Sequence, residues 1–118
     1  ETLTVKNRFF RRVLFTGGHA QLVLMCLQPR EEIGEEVHAT VDQFFRVESG
    51  SARVTFNKTE KRLVKAGSAF VVPAGTLHNV ANPSKDRPLH LYTIYSPPQH
   101  PDGTIHRTRA EALAAEHH

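Results

Sequence analysis

Short apolar or alternating runs, each closed by turn-forming residues, recur along this chain at close spacing and leave room for little except a β-sandwich or barrel. The runs cover residues 12–16, 20–27, 43–49, 52–56, 69–72, 77–81 and 89–95. Between them stand Gly17-Gly18, Pro29-Arg30, Ser49-Gly50, Asn57-Lys58, Ala66-Gly67, Pro73-Ala74-Gly75 and Asn82-Pro83-Ser84, residues that favour turns. Side chains two apart on a strand share a face. Gln43, Phe45 and Val47 therefore point one way and Arg46 and Glu48 the other, which puts a polar amide on the inward face. Ala52, Val54 and Phe56 form the next inward row. Residues 89–95 are apolar on both faces apart from His90 and Thr93, so that strand is expected to be sandwiched or to lie at a subunit interface. Only the tail looks helical. Thr108 and Glu111 form a capping box ahead of residues 110–116, whose single large apolar residue, Leu113, suits a helix that covers an edge or a partner, or frays.

At 118 residues and 13.3 kDa the chain is expected to form a single domain, 1–118, with its core at about 22–95 and a tail at 96–118. A hydrophobic share of 39% and a charged share of 23% exclude disordered and fibrous classes. The longest apolar stretch, 22–27, falls far short of the roughly 20 residues of a membrane helix, so no membrane partner is expected. Lys and Arg number 15 against 12 acids, a net charge of +3, but the basic residues are interleaved with Glu31, Glu32, Glu35 and Glu36. No nucleic-acid partner is expected from so dispersed an excess. The lone Cys26 sits in the apolar run as a small hydrophobe and cannot form an internal disulfide, which points to the cytoplasm. The chain starts at Glu1 with no apolar leader, so no signal peptide is expected.

The segment richest in chemistry is Gly67-Ser-Ala-Phe-Val-Val-Pro73-Ala-Gly75-Thr-Leu-His78-Asn-Val-Ala-Asn82. Gly67 turns the chain into a short buried strand, Pro73 and Gly75 set a tight turn, and His78 opens the return strand, from which it can point inward. This string resembles the second conserved motif of the cupin superfamily at its two glycines, proline, histidine and asparagine. Upstream, Glu36-Val-His38-Ala-Thr-Val-Asp-Gln43-Phe-Phe-Arg-Val-Glu-Ser-Gly50 occupies the place of the first motif. His38 and Gly50 match it. Glu36 stands where a first histidine is expected, Gln43 where a carboxylate is expected, and Arg30 replaces an opening glycine. The resemblance covers about residues 22–95 and implies an all-β, single-domain double-stranded β-helix, a jelly-roll-like barrel, with a short C-terminal helix. Among cupins the chain resembles the small bacterial proteins described as mannose-6-phosphate-isomerase-like, and cupins of this size commonly pair, which implies a homodimer.

Ligand chemistry gives the departures a sense. Glu36 and His38 lie at i and i+2 on an extended segment, Gln43 faces inward by parity, and His78 arrives from another strand. Two imidazoles, one carboxylate and one amide oxygen suit a divalent transition metal, Fe, Mn, Ni or Zn, with the carboxylate relocated and not lost. The other reading makes Glu36 part of a solvated acidic loop, with Asp42 as the alternative carboxylate and the histidines hydrogen-bonded in a metal-free barrel. Phe45, His90 and Tyr92 are expected to line a substrate pocket. His19, His100 and His106 fall in turn or tail segments and are expected at the surface, and residues 95–103 read as a wrap over the barrel mouth or a neighbour. Three functions follow: a metal-dependent enzyme acting on a small-molecule sugar, polyol or oxo-acid by isomerase or epimerase chemistry, with His90 or the free oxygen of Glu36 as base; an Fe(II) dioxygenase; or a ligand-binding module without turnover. The outward or loop placement of most Lys and Arg weighs against a phosphorylated substrate.

Overall fold

The computed structural model describes residues 2–116. Its elements are α1 (Thr2–Lys6), β1 (Arg11–Thr16), β2 (Gln21–Leu27), β3 (Asp42–Ser49), β4 (Ser51–Phe56), β5 (Glu60–Lys65), β6 (Ala69–Val72), β7 (His78–Ala81), β8 (Leu89–Ser96), β9 (Ile105–His106) and α2 (Arg109–Glu116). They form a six-stranded sheet in the order β6-β3-β8-β2-β1-β9 and a three-stranded sheet in the order β5-β4-β7, with antiparallel pairing throughout. This is the double-stranded β-helix expected from the sequence.

Register explains where the core lies. Across the large sheet Gln43 pairs with Tyr95 and Tyr95 with Gln21; one step along, Phe45, Thr93 and Val23 align, and then Val47, Leu91 and Met25. All nine side chains are buried and face the other sheet, whose Ala52, Val54 and Val80 complete the core. The inward parity read for β3 and β4 is the one observed.

Three elements escaped the sequence pattern. β5, Glu60–Lys65, is charged and almost entirely exposed, as suits an edge strand that must not pair with another chain. β9 is too short to show a period, and α1 is a second helix where only the tail was expected to be helical. In α2 the expected capping residues do interact: Glu111 N donates to the Thr108 hydroxyl at 3.2 Å and Arg107 N to the Glu111 carboxylate at 3.0 Å. The helix buries Ala112 in the core and leaves Leu113 only half-buried. A small residue gives the close approach that a leucine would not.

The wrap expected after β8 is present and anchored. Buried Gln21 donates to the His100 carbonyl at 2.7 Å, while its side-chain oxygen accepts from Gln99 N at 3.2 Å and His100 N at 2.9 Å. One amide thus holds the strap onto the sheet.

Gly50, between β3 and β4, has φ of 89°, and a Cβ there would meet the Pro88 carbonyl oxygen at 2.8 Å. Both the dihedral and the backbone neighbour require glycine. Gly50→Ala is expected to destabilise the protein by about 2 kcal/mol or more in urea unfolding; an unchanged midpoint would contradict this account of the turn.

Candidate metal centre

Residues 32–38 form no continuous strand, yet they run antiparallel to β7 as an extra rung of the small sheet. Ile33 N donates to Val80 O at 2.9 Å, Glu36 N to His78 O at 2.9 Å, His78 N to Glu36 O at 3.0 Å, and Gly75 N to His38 O at 2.9 Å. Asn82 fixes the start of this segment by donating to Leu27 O at 3.1 Å, Gln28 O at 3.2 Å and Arg87 O at 2.8 Å. The asparagine of the sequence motif is therefore a backbone staple.

This pairing brings Glu36, His38 and His78 together. One carboxylate oxygen and one nitrogen from each imidazole all lie within 4.8 Å of one another, a cluster that could hold a metal ion. His38 Nε2 is 3.7 Å from Glu36 Oε1, and the two imidazole centroids are 5.8 Å apart with planes inclined at 52°. His78 Nδ1 hydrogen-bonds the Thr76 carbonyl at 3.0 Å. A carbonyl only accepts, so Nδ1 carries the proton and Nε2 presents a lone pair. Among the described residues neither His38 Nε2 nor His78 Nε2 has a hydrogen-bond partner, although both are buried. Burial alone would raise the Glu36 carboxyl, but the neighbouring His38, 3.7 Å away, together with Arg11 and His78, outweighs it and holds the group below its ordinary value. The carboxylate is ionised and ready to ligate.

Gln43 donates from Nε2 to the Thr93 hydroxyl at 3.0 Å, and among the described residues its buried Oε1 has no hydrogen-bond partner. It stands in register with Tyr95, whose ring meets His38 edge-on at 5.8 Å. Phe45 stacks on Phe70 at 4.8 Å and meets His78 in a T-shaped arrangement at 6.3 Å, walling the cluster. Asp42, the alternative carboxylate, instead accepts from Ala74 N at 2.8 Å on the exposed β6–β7 turn. Among the acids around position 36, Glu35 fits the solvated-loop description, exposed and 3.7 Å from Lys58 Nζ.

The structure does not bring His90 and Tyr92 to this cluster. Because Leu91, Thr93 and Tyr95 face inward, the intervening residues emerge on the opposite face of β8. His90 is buried there in register with Cys26, its imidazole pushed down first by burial and then by the charge of Arg8. Tyr92 packs near Phe44 at 6.2 Å and lines an outer groove with Leu3 and Leu24. On this strand it is Thr93 and Tyr95 that stand in register with Phe45 and Gln43 on the inward face. Two apolar faces on β8 hid the parity, and only the register with Gln43 resolves it.

Sequence reasoning also missed Arg11, Tyr95 and His100. Arg11 is 1% exposed and shares the inward row with Val13, an exception to the outward or loop placement expected of most Lys and Arg. Tyr95 is fully buried and its phenol is pushed up by that burial, so it remains a neutral hydrogen-bond donor. The strap carries His100 against Tyr95, with His100 Nε2 3.3 Å from the phenol oxygen. Burial, then the Arg11 charge, pushes His100 down to about 4. His106 meets Arg11, its Nδ1 2.9 Å from Nη1. Of the histidines expected outside, His19 alone is exposed.

Comparison with known proteins gives consistent results. The cupin domain family model matches residues 23–95. The chain is 50% identical over 118 residues to the uncharacterized protein YrkC of Bacillus subtilis (strain 168), covering 96% of this chain and 63% of that protein's length. It is 45% identical over 111 residues to an uncharacterized protein of Acanthamoeba polyphaga mimivirus, covering 92% and 69% respectively. The crystal structure of BH2720 from Bacillus halodurans superposes with a TM-score of 0.92 at 48% identity, over 96% of this chain and 89% of that one.

Two outcomes follow from this geometry. In calorimetric titrations of chelator-treated protein, His38→Ala and His78→Ala should each weaken binding of one divalent transition ion by about 100-fold or more; unchanged affinity in either would remove that residue from the site. His100 is neutral when folded and has an ordinary value of 6.5. The unfolded chain therefore binds the extra proton between pH 6.5 and about 4, and stability falls as pH is lowered through that window. His100→Gln should flatten this slope in pH-dependent unfolding, and an unaltered slope would refute the assignment.

Proposed function

The chain belongs to the cupin superfamily, and from that premise we propose that it is a metal-dependent enzyme. In this reading Glu36, His38, Gln43 and His78 hold one divalent transition ion, and a small polar metabolite, a sugar, polyol or oxo-acid, is isomerised or epimerised beside it. The observation that carries the reading is the pair of buried, partnerless Nε2 atoms that share a 4.8 Å cluster with an ionised carboxylate. Buried polar atoms without partners cost free energy, and a ligated ion is what would satisfy these three groups together. Nitrogen and oxygen donors in this ratio suit Fe, Mn, Ni or Zn. When bound, such an ion supplies a Lewis acid that polarises a substrate oxygen.

The protein's own groups divide the remaining work. With His90 on the far side of the sheet, the free oxygen of Glu36 is the base that takes and returns a carbon-bound proton. Tyr95 offers a neutral phenol to a substrate oxygen, and Phe45 with Phe70 keeps water from the cluster. The amide of Gln43 as a fourth ligand leaves fewer open positions than oxygen and substrate together require, which weighs against an Fe(II) dioxygenase. The mannose-6-phosphate-isomerase-like resemblance agrees with this reaction class. The reading includes a homodimer, supported by the exposed apolar residues Leu3, Leu14 and Phe15 around the outer sheet face, and a cytoplasmic setting, supported by the free buried thiol of Cys26.

The test is solvent exchange. Metal-loaded protein in deuterium oxide, offered a panel of aldoses, ketoses and oxo-acids, should incorporate deuterium at the carbon beside a carbonyl, and His78→Ala should not. Oxygen consumption by the iron-loaded protein with no exchange would overturn the reading. The same sample should sediment at twice 13.3 kDa.

A further inference from the structure

Beyond the metal cluster, the strap and α2 enclose a cavity of about 220 Å³ lined by Arg11, His100, Pro101, Thr104, His106 and Ala115. Its most telling wall is a cation. Arg11 is 1% exposed, and among the described residues no carboxylate forms an ion pair with it. One of its five donors meets His106 Nδ1 at 2.9 Å, and among the described residues its Nε has no hydrogen-bond partner. The Tyr95 phenol near it is a neutral group and supplies no counter-charge. Glu36 feels the guanidinium charge through space without touching it.

A guanidinium stays protonated at any pH a protein tolerates, so burial cannot neutralise it as it would a lysine. Desolvating such a charge without a counter-ion costs several kcal/mol. A fold that keeps one on an inward strand position, facing a cavity and short of acceptors, has the form of an anion receptor, and the planar fork matches a carboxylate with two parallel hydrogen bonds.

We propose that Arg11, flanked by His106 and His100, binds the carboxylate group of a small organic acid in this cavity. The pocket lies beside the metal cluster: His100 touches Tyr95, and the Tyr95 ring stands against His38. The inference rests on the metal-dependent reading for the fate of the acid's other end, and it narrows the substrate class of that reading from sugars, polyols and oxo-acids to the oxo- or hydroxy-acids. The receptor itself needs no metal.

The experiment uses the full chain, stripped with a chelator and, in parallel, metal-loaded. Glycolate, acetate and inorganic phosphate are titrated at constant ionic strength while the Arg11 Nε resonance is followed by nitrogen-edited NMR. Saturable binding of glycolate and acetate by the stripped protein, with a shift of that resonance, is the expected result. Arg11→Gln removes the fork. Ala115→Phe fills the cavity from an exposed helix position and leaves the arginine and every metal-cluster residue in place. Each should weaken glycolate binding by at least tenfold, and Ala115→Phe should leave metal affinity unchanged. If Arg11→Gln does not fold, Ala115→Phe decides. No saturable binding, or binding indifferent to Ala115→Phe, overturns the receptor. Phosphate bound in place of the carboxylates overturns the carboxylate assignment. Glycolate binding that vanishes with the metal overturns an independent receptor while leaving the metal reading intact, whereas loss of metal binding with the Arg11 response preserved does the reverse.

Discussion

The reciprocal backbone hydrogen bonds between Glu36 and His78, at 2.9 and 3.0 Å, are the constraint on which the rest of this molecule hangs. They dock a segment with little regular structure onto the edge of the small sheet, and antiparallel pairing places positions 36 and 38 beside position 78. Nothing else in the fold would bring those three side chains together. The cost of holding buried imidazole nitrogens without partners is met elsewhere: Asn82 staples the start of the segment, Asp42 caps the β6–β7 turn, and the Thr76 carbonyl fixes the tautomer of His78. Each of these contacts acts on backbone or on the rear of a ring, which leaves His78 Nε2 facing the cluster.

Charge is arranged around the same point. Arg11, His38 and His78 act together on Glu36, so a carboxyl that burial would neutralise stays ionised. Tyr95 stands between the Glu36–His38–His78 cluster and the strap and, being held neutral, adds no charge of its own between the Glu36 carboxylate and the Arg11 guanidinium. The strap is therefore more than a cover. Through Gln21 it is bound to the sheet, and through His100 and His106 it brings imidazoles to Arg11 and Tyr95.

Much of this was legible in the residues alone, and the failures have physical causes. Strands with one apolar face declared themselves, and the inward amide of Gln43 followed from parity. β5 did not, because an edge strand guarded by charge on both faces has no apolar period to detect. His90 and Tyr92 could not be placed on a face of β8 from the sequence because that strand is apolar on both faces; parity there depends on its partners, a long-range fact. Glu36 and His38 could be proposed as co-facing on an extended segment, but its docking partner β7 lies far along the chain. Arg11 and His100 escaped notice for a simpler reason. Charged and tail residues are usually solvated, and only the closing of the strap over β1 makes them interior.

The central claim, that one ion sits among Glu36, His38 and His78, is tested most directly by X-ray absorption and anomalous diffraction on zinc-loaded protein. The account predicts a single anomalous peak bonded to Nε2 of both imidazoles at about 2.0–2.1 Å and to the Glu36 carboxylate. A peak at any other position, or a zinc shell containing only one imidazole, would contradict it.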